Sequence, residues 1–143
     1  MRLHYQRNPI DWIVDRLGIR REQIDWELLP QYAGHAWDGT RNPFRVMFEA
    51  IADEKWVGIE SGTGLSKTFL GACTVLWFLE AFEDALVVTT APKEKQLSLN
   101  IWKEIGRLHA KFGRGKLLSG MLRMNPPSDD WMATAFTAGV RAE

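Results

Sequence analysis

The 143-residue chain has a single cysteine, three histidines and no formal net charge. One thiol excludes an intramolecular disulfide and a cysteine-rich metal centre. Cys73 lies inside an apolar stretch, which marks it as a packing thiol rather than a nucleophile. His4, His35 and His109 are far apart, with no carboxylate or cysteine at ligand spacing, and are read as structural. No run approaches the roughly 18 apolar residues of a membrane span, and the N-terminus has no signal-peptide pattern. These absences lead us to expect a soluble protein of a reducing compartment with no membrane partner. The balanced charge gives no argument from global charge for or against nucleic acid. Internal repeats and low-complexity segments are also missing. One more absence bears on catalysis, since nowhere do four apolar residues lead into Asp-Glu. Leu86-Val87-Val88 runs into Thr89-Thr90, and Asp129-Asp130 precedes an apolar run rather than ending one.

What is present centres on residues 55–68. The run Trp56-Val57-Gly58-Ile59 reads as a buried strand. It breaks into the small-residue loop Ser61-Gly62-Thr63-Gly64-Leu65-Ser66, and Lys67-Thr68 then opens a strongly apolar helix. Strand, glycine loop and Lys-Thr at a helix start form a phosphate-binding arrangement, with Ser61 and Ser66 at the two glycine positions of the full pattern. Glycines let several backbone N–H groups converge on one anion, and the helix N-terminus adds about half a positive charge. Lys67 would neutralise phosphate oxygens and the charge of a transferring phosphoryl group, while the Thr68 hydroxyl would sit on Mg²⁺. The bland alternative is a glycine-rich turn with a helix-capping hydroxyl.

Around this stretch the pattern alternates strand and helix. Asn8-Pro9 to Gly18 carries an N-cap, a first-turn proline and a terminal glycine, which predicts a short helix. Residues 20–29 read as a second helix and residues 30–42 as a loop. Pro43 opens a helix through Ala52, and Thr68 to Phe82 is helical and apolar on most sides. Ala85 to Thr90 reads as a second buried strand, Lys93 to Phe112 as a long helix, Lys116 to Met124 as a strand or hairpin arm, and Trp131 to Phe136 as a last strand. The sum is an α/β fold with a mainly parallel sheet and flanking helices. Most tryptophans are expected in the core. Residues 1–36 form a helical, lid-like segment before the domain proper at 37–143.

With the phosphate loop placed, the chain resembles the large subunit of tailed-phage terminases, the DNA-packaging ATPase. Three stretches carry the resemblance: Trp37-Asp38-Gly39-Thr40 with Asn42-Pro43-Phe44; Glu60 to Thr68 running into Phe69-Leu70-Gly71-Ala72; and Val88-Thr89-Thr90-Ala91-Pro92 with Gln96 and Trp102. Ser66, and Glu60 where many relatives carry a basic residue, depart from the pattern. The resemblance implies a P-loop NTPase of the ASCE, RecA-like kind that binds ATP and Mg²⁺ and couples hydrolysis to translocation of double-stranded DNA into a procapsid. It implies portal protein and small terminase subunit as partners, a homo-oligomeric ring, and the host cytoplasm as location. In that family the Asp-Glu pair lies further along the sequence. The chain is then the front part of the ATPase domain, stopping before the Walker B strand, and is expected to bind nucleotide without turning it over.

Further candidates follow from position. Phe44 and Arg45 are placed to contact adenine, with a core role for Phe44 as the alternative. Arg141 is a candidate arginine finger, with a terminal solvated arginine as the alternative. Between Lys93 and Arg123, eight lysines and arginines stand against Glu94 and Glu104, a stretch that could meet a DNA backbone or simply be a solvated face. Two other identities stay open: a fragment of a DExx-type helicase, and a non-catalytic interaction module built on a P-loop-derived scaffold. Half a sheet would leave an unpaired edge and bare apolar surface, so self-association is expected.

Overall fold

The structure is a computed structural model that describes residues 2–20, 43–59, 67–124 and 129–137. Two short helices open the chain, α1 (Arg2–Arg7) and α2 (Pro9–Leu17). The second follows its sequence signals, with Pro9 in the first turn. Gly18 closes it in the left-handed region at φ 70°, donating its N–H to the Ile13 carbonyl. Helix α3 spans Pro43–Asp53, and α4 spans Lys67–Ala81. Helix α4 is apolar almost all round because it is covered almost all round. It packs against α1, α2 and α3 on one side and against the sheet and a later helix on the other. Strand β1 (Leu86–Ala91) leads into a one-turn α5 (Glu94–Gln96), a π-helical turn (Leu97–Ile101) and α6 (Trp102–Phe112). Strands β2 (Lys116–Leu118), β3 (Met121–Arg123) and β4 (Met132–Thr137) complete the described elements.

The sheet order is β1-β4-β3-β2. Strands β1 and β4 are parallel, with Leu86 opposite Met132, whereas β4–β3 and β3–β2 are antiparallel. The fold is therefore mixed α/β, and the mainly parallel sheet expected from the sequence is corrected to a mixed one. The cause is local. Ser119-Gly120 makes a two-residue turn, with Gly120 at φ 65°, and this folds β2 back on β3. The hairpin then occupies the edge of β4 that a further parallel strand would have taken.

A second correction concerns residues 56–59. They form no strand, and Trp56 is 91% exposed. A four-residue apolar run does not specify a partner, and none of the described strands pairs with this one. Residues 60–66 and the helix expected at 20–29 lie outside the described residues, apart from Arg20.

Alternation along the strands gives the sheet one covered face. Val87, Thr89, Leu117, Leu122, Ala133 and Ala135 are buried or packed against the helical core. On the opposite face Leu86, Val88, Leu118 and Phe136 are exposed. The expectation of a fully buried second strand thus holds for one face of β1 only.

Trp12, Trp77, Trp102 and Trp131 are buried in the core, as expected, and each indole N–H has an acceptor, which for Trp102 is Thr89 Oγ1 at 2.8 Å. Trp77 donates to the Tyr5 carbonyl at 2.7 Å, Trp131 to the Leu79 carbonyl at 2.8 Å, and Trp12 to Glu80 Oε1 at 2.8 Å. Cys73 is fully buried, and burial, followed by the nearby Glu104 charge, pushes its thiol up and keeps it protonated.

Glu80 is the hub. Its side chain is 11% exposed, yet besides Trp12 it accepts from Arg16 Nε at 2.7 Å, Arg16 Nη2 at 2.9 Å and Arg114 Nη1 at 3.2 Å. Burial alone would raise its pKa by disfavouring the charged carboxylate. The hydrogen bonds from Arg16, Trp12 and Arg114, with the Arg16 charge, outweigh that and hold the carboxyl below the usual carboxylate range.

A depressed folded-state value contributes stability that is present above the unfolded-state value and is lost as pH falls through the folded one. Acid unfolding of the wild type should therefore include a Glu80 component below about pH 4.3. Glu80→Gln should flatten that limb and lower stability at neutral pH by about 2–3 kcal/mol, read from denaturant curves between pH 3 and 7. The β1 edge, open among the described residues, and the exposed sheet face predict concentration-dependent association in analytical ultracentrifugation. Val88→Lys, a charge on that exposed face, should suppress it, and a wild type that stays monomeric at all concentrations would refute this.

Candidate functional site

Where a parallel strand ends and a helix begins, backbone N–H groups and side chains from separate parts of the chain can converge. The first turn of α4 and the carboxyl end of β1 meet in this way. Lys67 and Thr68 share a cleft of about 540 Å³ with Thr90, Ala91, Pro92, Gln96 and Asn100. Lys67 and Thr68 are both exposed at the mouth of this cleft. The N-terminus of a 15-residue helix adds fixed positive potential at the same place.

The β1 side of the cleft is held by a relay through one hydroxyl, that of Thr89. Trp102 Nε1 donates to Thr89 Oγ1 at 2.8 Å, and Thr89 Oγ1 donates to the Thr134 carbonyl at 3.1 Å. The relay ties the start of α6, β1 and β4 together just below Thr90. Pro92 then ends the strand, and the Lys93 N–H donates to Gln96 Oε1 at 3.3 Å, which fixes the Gln96 amide beside the cleft. The π-helical turn supplies the opposite wall through Leu97, Asn100 and Ile101. It approaches α4 closely: a Cβ on Gly71 would stand 3.1 Å from Ile101 Cδ1. A larger residue at position 71 would push this wall away from Lys67 and Thr68.

Of the sequence-derived site residues, Lys67 and Thr68 are brought together with the Thr89–Pro92 stretch and Gln96, which are distant in sequence. Ser61, Gly62, Thr63, Gly64, Leu65 and Ser66 lie outside the described residues, as does Arg141. Phe44 and Arg45 do not line this cleft. Phe44 packs between Phe48 and Phe69, with ring centroids 5.8 and 5.5 Å away, and Arg45 pairs with Glu49 at 3.0 Å. Phe69 directly follows Thr68, so the Phe44 ring lies beside the first turn of α4 all the same.

Asn100 was missed from sequence. Asn100 lies in the π-helical turn Leu97–Ile101, and nothing in the sequence linked that turn to Lys67. Among the described residues no Asp or Glu lines the cleft, and no group of three His, Cys, Asp or Glu could hold a metal ion. A divalent cation here would rest on the Thr68 hydroxyl and on oxygens of its ligand, which suits Mg²⁺ accompanying a polyphosphate. Among the described residues no helix is long and apolar enough to cross a membrane.

In comparison with known proteins, no family model, no curated protein and no solved structure matches the chain.

The hydroxyl relay gives a direct test of what holds the cleft. Thr89→Val keeps the shape but leaves the buried Trp102 N–H without its acceptor. It should lower stability by about 1–3 kcal/mol in thermal melts. Thr90→Val, on the exposed face of the same strand, should change stability by under about 0.5 kcal/mol.

Proposed function

We propose that this chain is the ATP-binding part of a DNA-packaging motor of the terminase large-subunit kind, built as a P-loop NTPase. The observation that carries the reading is the convergence of Lys67 and Thr68, at the start of α4, with the carboxyl end of β1 and the Gln96–Asn100 flank. Two of the three stretches that carry the terminase resemblance meet in that cleft. In this reading Lys67 binds the β- and γ-phosphate oxygens, the Thr68 hydroxyl takes a place in the Mg²⁺ shell, and Ser61 to Ser66 supply backbone donors. Gln96 and Asn100 add neutral amides that can donate to phosphate oxygens or orient a water. Phe44, beside the first turn of α4, remains the adenine candidate together with Arg45.

Double-stranded DNA, portal protein, a small terminase subunit and a ring of like subunits are the partners this reading brings. ATP and Mg²⁺ are its ligands, and the host cytoplasm is its setting. The chain binds nucleotide and does not turn it over, because its sequence has no apolar strand run ending in Asp-Glu to hold the metal shell and activate water. The DExx-type helicase reading uses the same cleft and differs in what a longer protein would add. The bare outer sheet face favours the third reading, an interaction module with a disused phosphate site.

Thermal melts with and without Mg-ATP separate these readings. At about 100 times its dissociation constant, a ligand that binds only the folded state adds about 2.7 kcal/mol. For a chain of this length that is a midpoint rise on the order of 5–15 °C. The rise should vanish in Lys67→Ala, and phosphate release should stay at background. No rise at millimolar nucleotide would put the interaction module first, and steady turnover lost in Lys67→Ala would overturn the claim of binding without hydrolysis.

A further inference from the structure

The π-helical turn Leu97–Ile101 stands between two clefts. Asn100 and Ile101 border the one that holds Lys67, whereas Ser98 and Leu99 border another, of about 650 Å³, together with Trp102 and Lys103. The β2–β3 hairpin and the end of β4 form its other side, and the two clefts share Leu97 alone. π-helical turns are rare and recur at functional sites, and here the extra residue in the turn lets one short segment face both ways. The volume lies within the roughly 300–1,000 Å³ of small-molecule sites. Small residues keep the space open. Ala135 is part of the lining and Gly120 lies against it, so that a Cβ on Gly120 would stand 3.3 Å from the Ala135 Cβ. The walls are mainly apolar. Trp102 is buried and gives its indole N–H to Thr89, so it offers the cleft ring surface only. Leu99, by contrast, is 62% exposed.

We propose that this cleft binds a small organic monoanion, with an apolar ring or branched body against Leu99, Trp102 and Leu117 and a carboxylate head on Lys103. The sign of the head follows from how the two charged residues of the lining, Glu94 and Lys103, are balanced. Glu94 opens the helical run that continues through α6, where the N–H groups of a helix start favour a negative charge. Lys103 has no such support. Arg107, one turn on, repeats its charge, and the adjacent Glu104 is committed to Arg107 Nη2 at 2.6 Å. At roughly 1.5 Å per residue Glu94 stands about 13 Å back along the run, so it does not neutralise Lys103 either. The unbalanced charge at the cleft is therefore the cation. Ser98, whose hydroxyl is held only by a 3.5 Å contact to the Lys95 carbonyl, shares the lining and can donate to the second oxygen of the head. Affinity comes mainly from the apolar body leaving water, and the pair at the rim selects the charge of the head, since exposed ion pairs contribute little. Nothing in this inference draws on the nucleotide reading, because Lys67 and Thr68 do not line this cleft.

The probes for the test are 4-phenylbutyrate, 4-phenylbutan-1-ol and 4-phenylbutylamine, which share one body and differ in the charge of the head. They are titrated into the full chain, isotopically labelled at nitrogen, while the Trp102 indole N–H resonance is followed by NMR. That resonance is assigned by its loss in Trp102→Phe. The butyrate should bind with a dissociation constant on the order of a millimolar, about what twelve non-hydrogen atoms deliver at ordinary efficiency. The alcohol should bind about threefold more weakly, and the amine more weakly still. Lys103→Gln should erase the advantage of the butyrate over the alcohol, and Lys103→Glu should make the amine the tightest of the three. Ala135→Leu, which fills space the ring needs, should weaken all three by about tenfold. Lys103 is exposed, so its variants should keep the wild-type melting midpoint and decide the question even where Ala135→Leu fails to fold. Lys67→Ala should bind the probes as the wild type does. Equal affinity for the three heads, an unchanged order of heads in Lys103→Glu, or a still Trp102 resonance while Val88 and Phe136 on the outer sheet face respond would each overturn the proposal.

Discussion

One buried carboxylate sets the frame on which the rest of the molecule depends. Glu80 sits near the C-terminal end of α4, where the helix dipole disfavours a negative charge and burial disfavours it further. Its retention requires donors, and α2 supplies two of them, the indole of Trp12 and the guanidinium of Arg16. The segment after α6 supplies a third in Arg114. Arg16 also donates to the Phe112 carbonyl at 3.2 Å, the last residue of α6. The desolvation of one group thus fixes the relative positions of three helices that are distant in sequence. Apolar packing alone would have held them less specifically, because hydrophobic contact is non-directional.

That anchor has consequences at the far end of α4. With its C-terminal end held by Glu80 and its flanks covered by other helices, α4 presents its first turn at a fixed place beside β1. The Trp102–Thr89–Thr134 relay fixes the facing strand end in the same manner, again by satisfying a buried donor. Lys67 and Thr68 are thereby exposed on a helix turn beside the strand end rather than on a loop. The same scaffold orients α6, whose buried side is dictated by the core and whose outer side exposes Lys103, Arg107 and Lys111.

Much of this was legible in the sequence, and the failures have physical causes. Pro9 and Gly18 mark α2 because both act through local backbone geometry. The all-round apolar character of α4 announced a covered helix, and Lys67-Thr68 were read at a helix start that the structure places in a cleft with the end of β1. Local rules do not state which strand edge a segment will find. The Ser119-Gly120 turn was present in the sequence, but its effect on the sheet depended on the hairpin joining β4. Residues 56–59 carried apolar side chains without a specified partner, and the buried strand read there is exposed chain with no strand pairing among the described residues. Asn100 reached the cleft wall through a π-helical turn, where the extra residue per turn shifts every following side chain relative to an ordinary helix. No apolar period reveals such a shift in advance.

The two edges of the sheet now make opposite statements. Strand β2 is three residues long, begins with Lys116 and is flanked by glycines at 113 and 115, all features that discourage further pairing. Strand β1 is six residues long with no charge and no proline within it, and the described structure adds nothing to its outer edge. Along that edge, β1 and α4 border a gap of about 360 Å³ whose lining includes Ile51, Ile59, Leu70, Val75, Val87 and Val88. Among the described residues the sheet is blunted on one side and left open on the other. The open direction is the side on which Lys67 and Thr68 stand. Pairing at that edge and ligand binding at the cleft would therefore draw on the same strand, and a change at either would be felt by the other through Val88, Thr89 and Thr90.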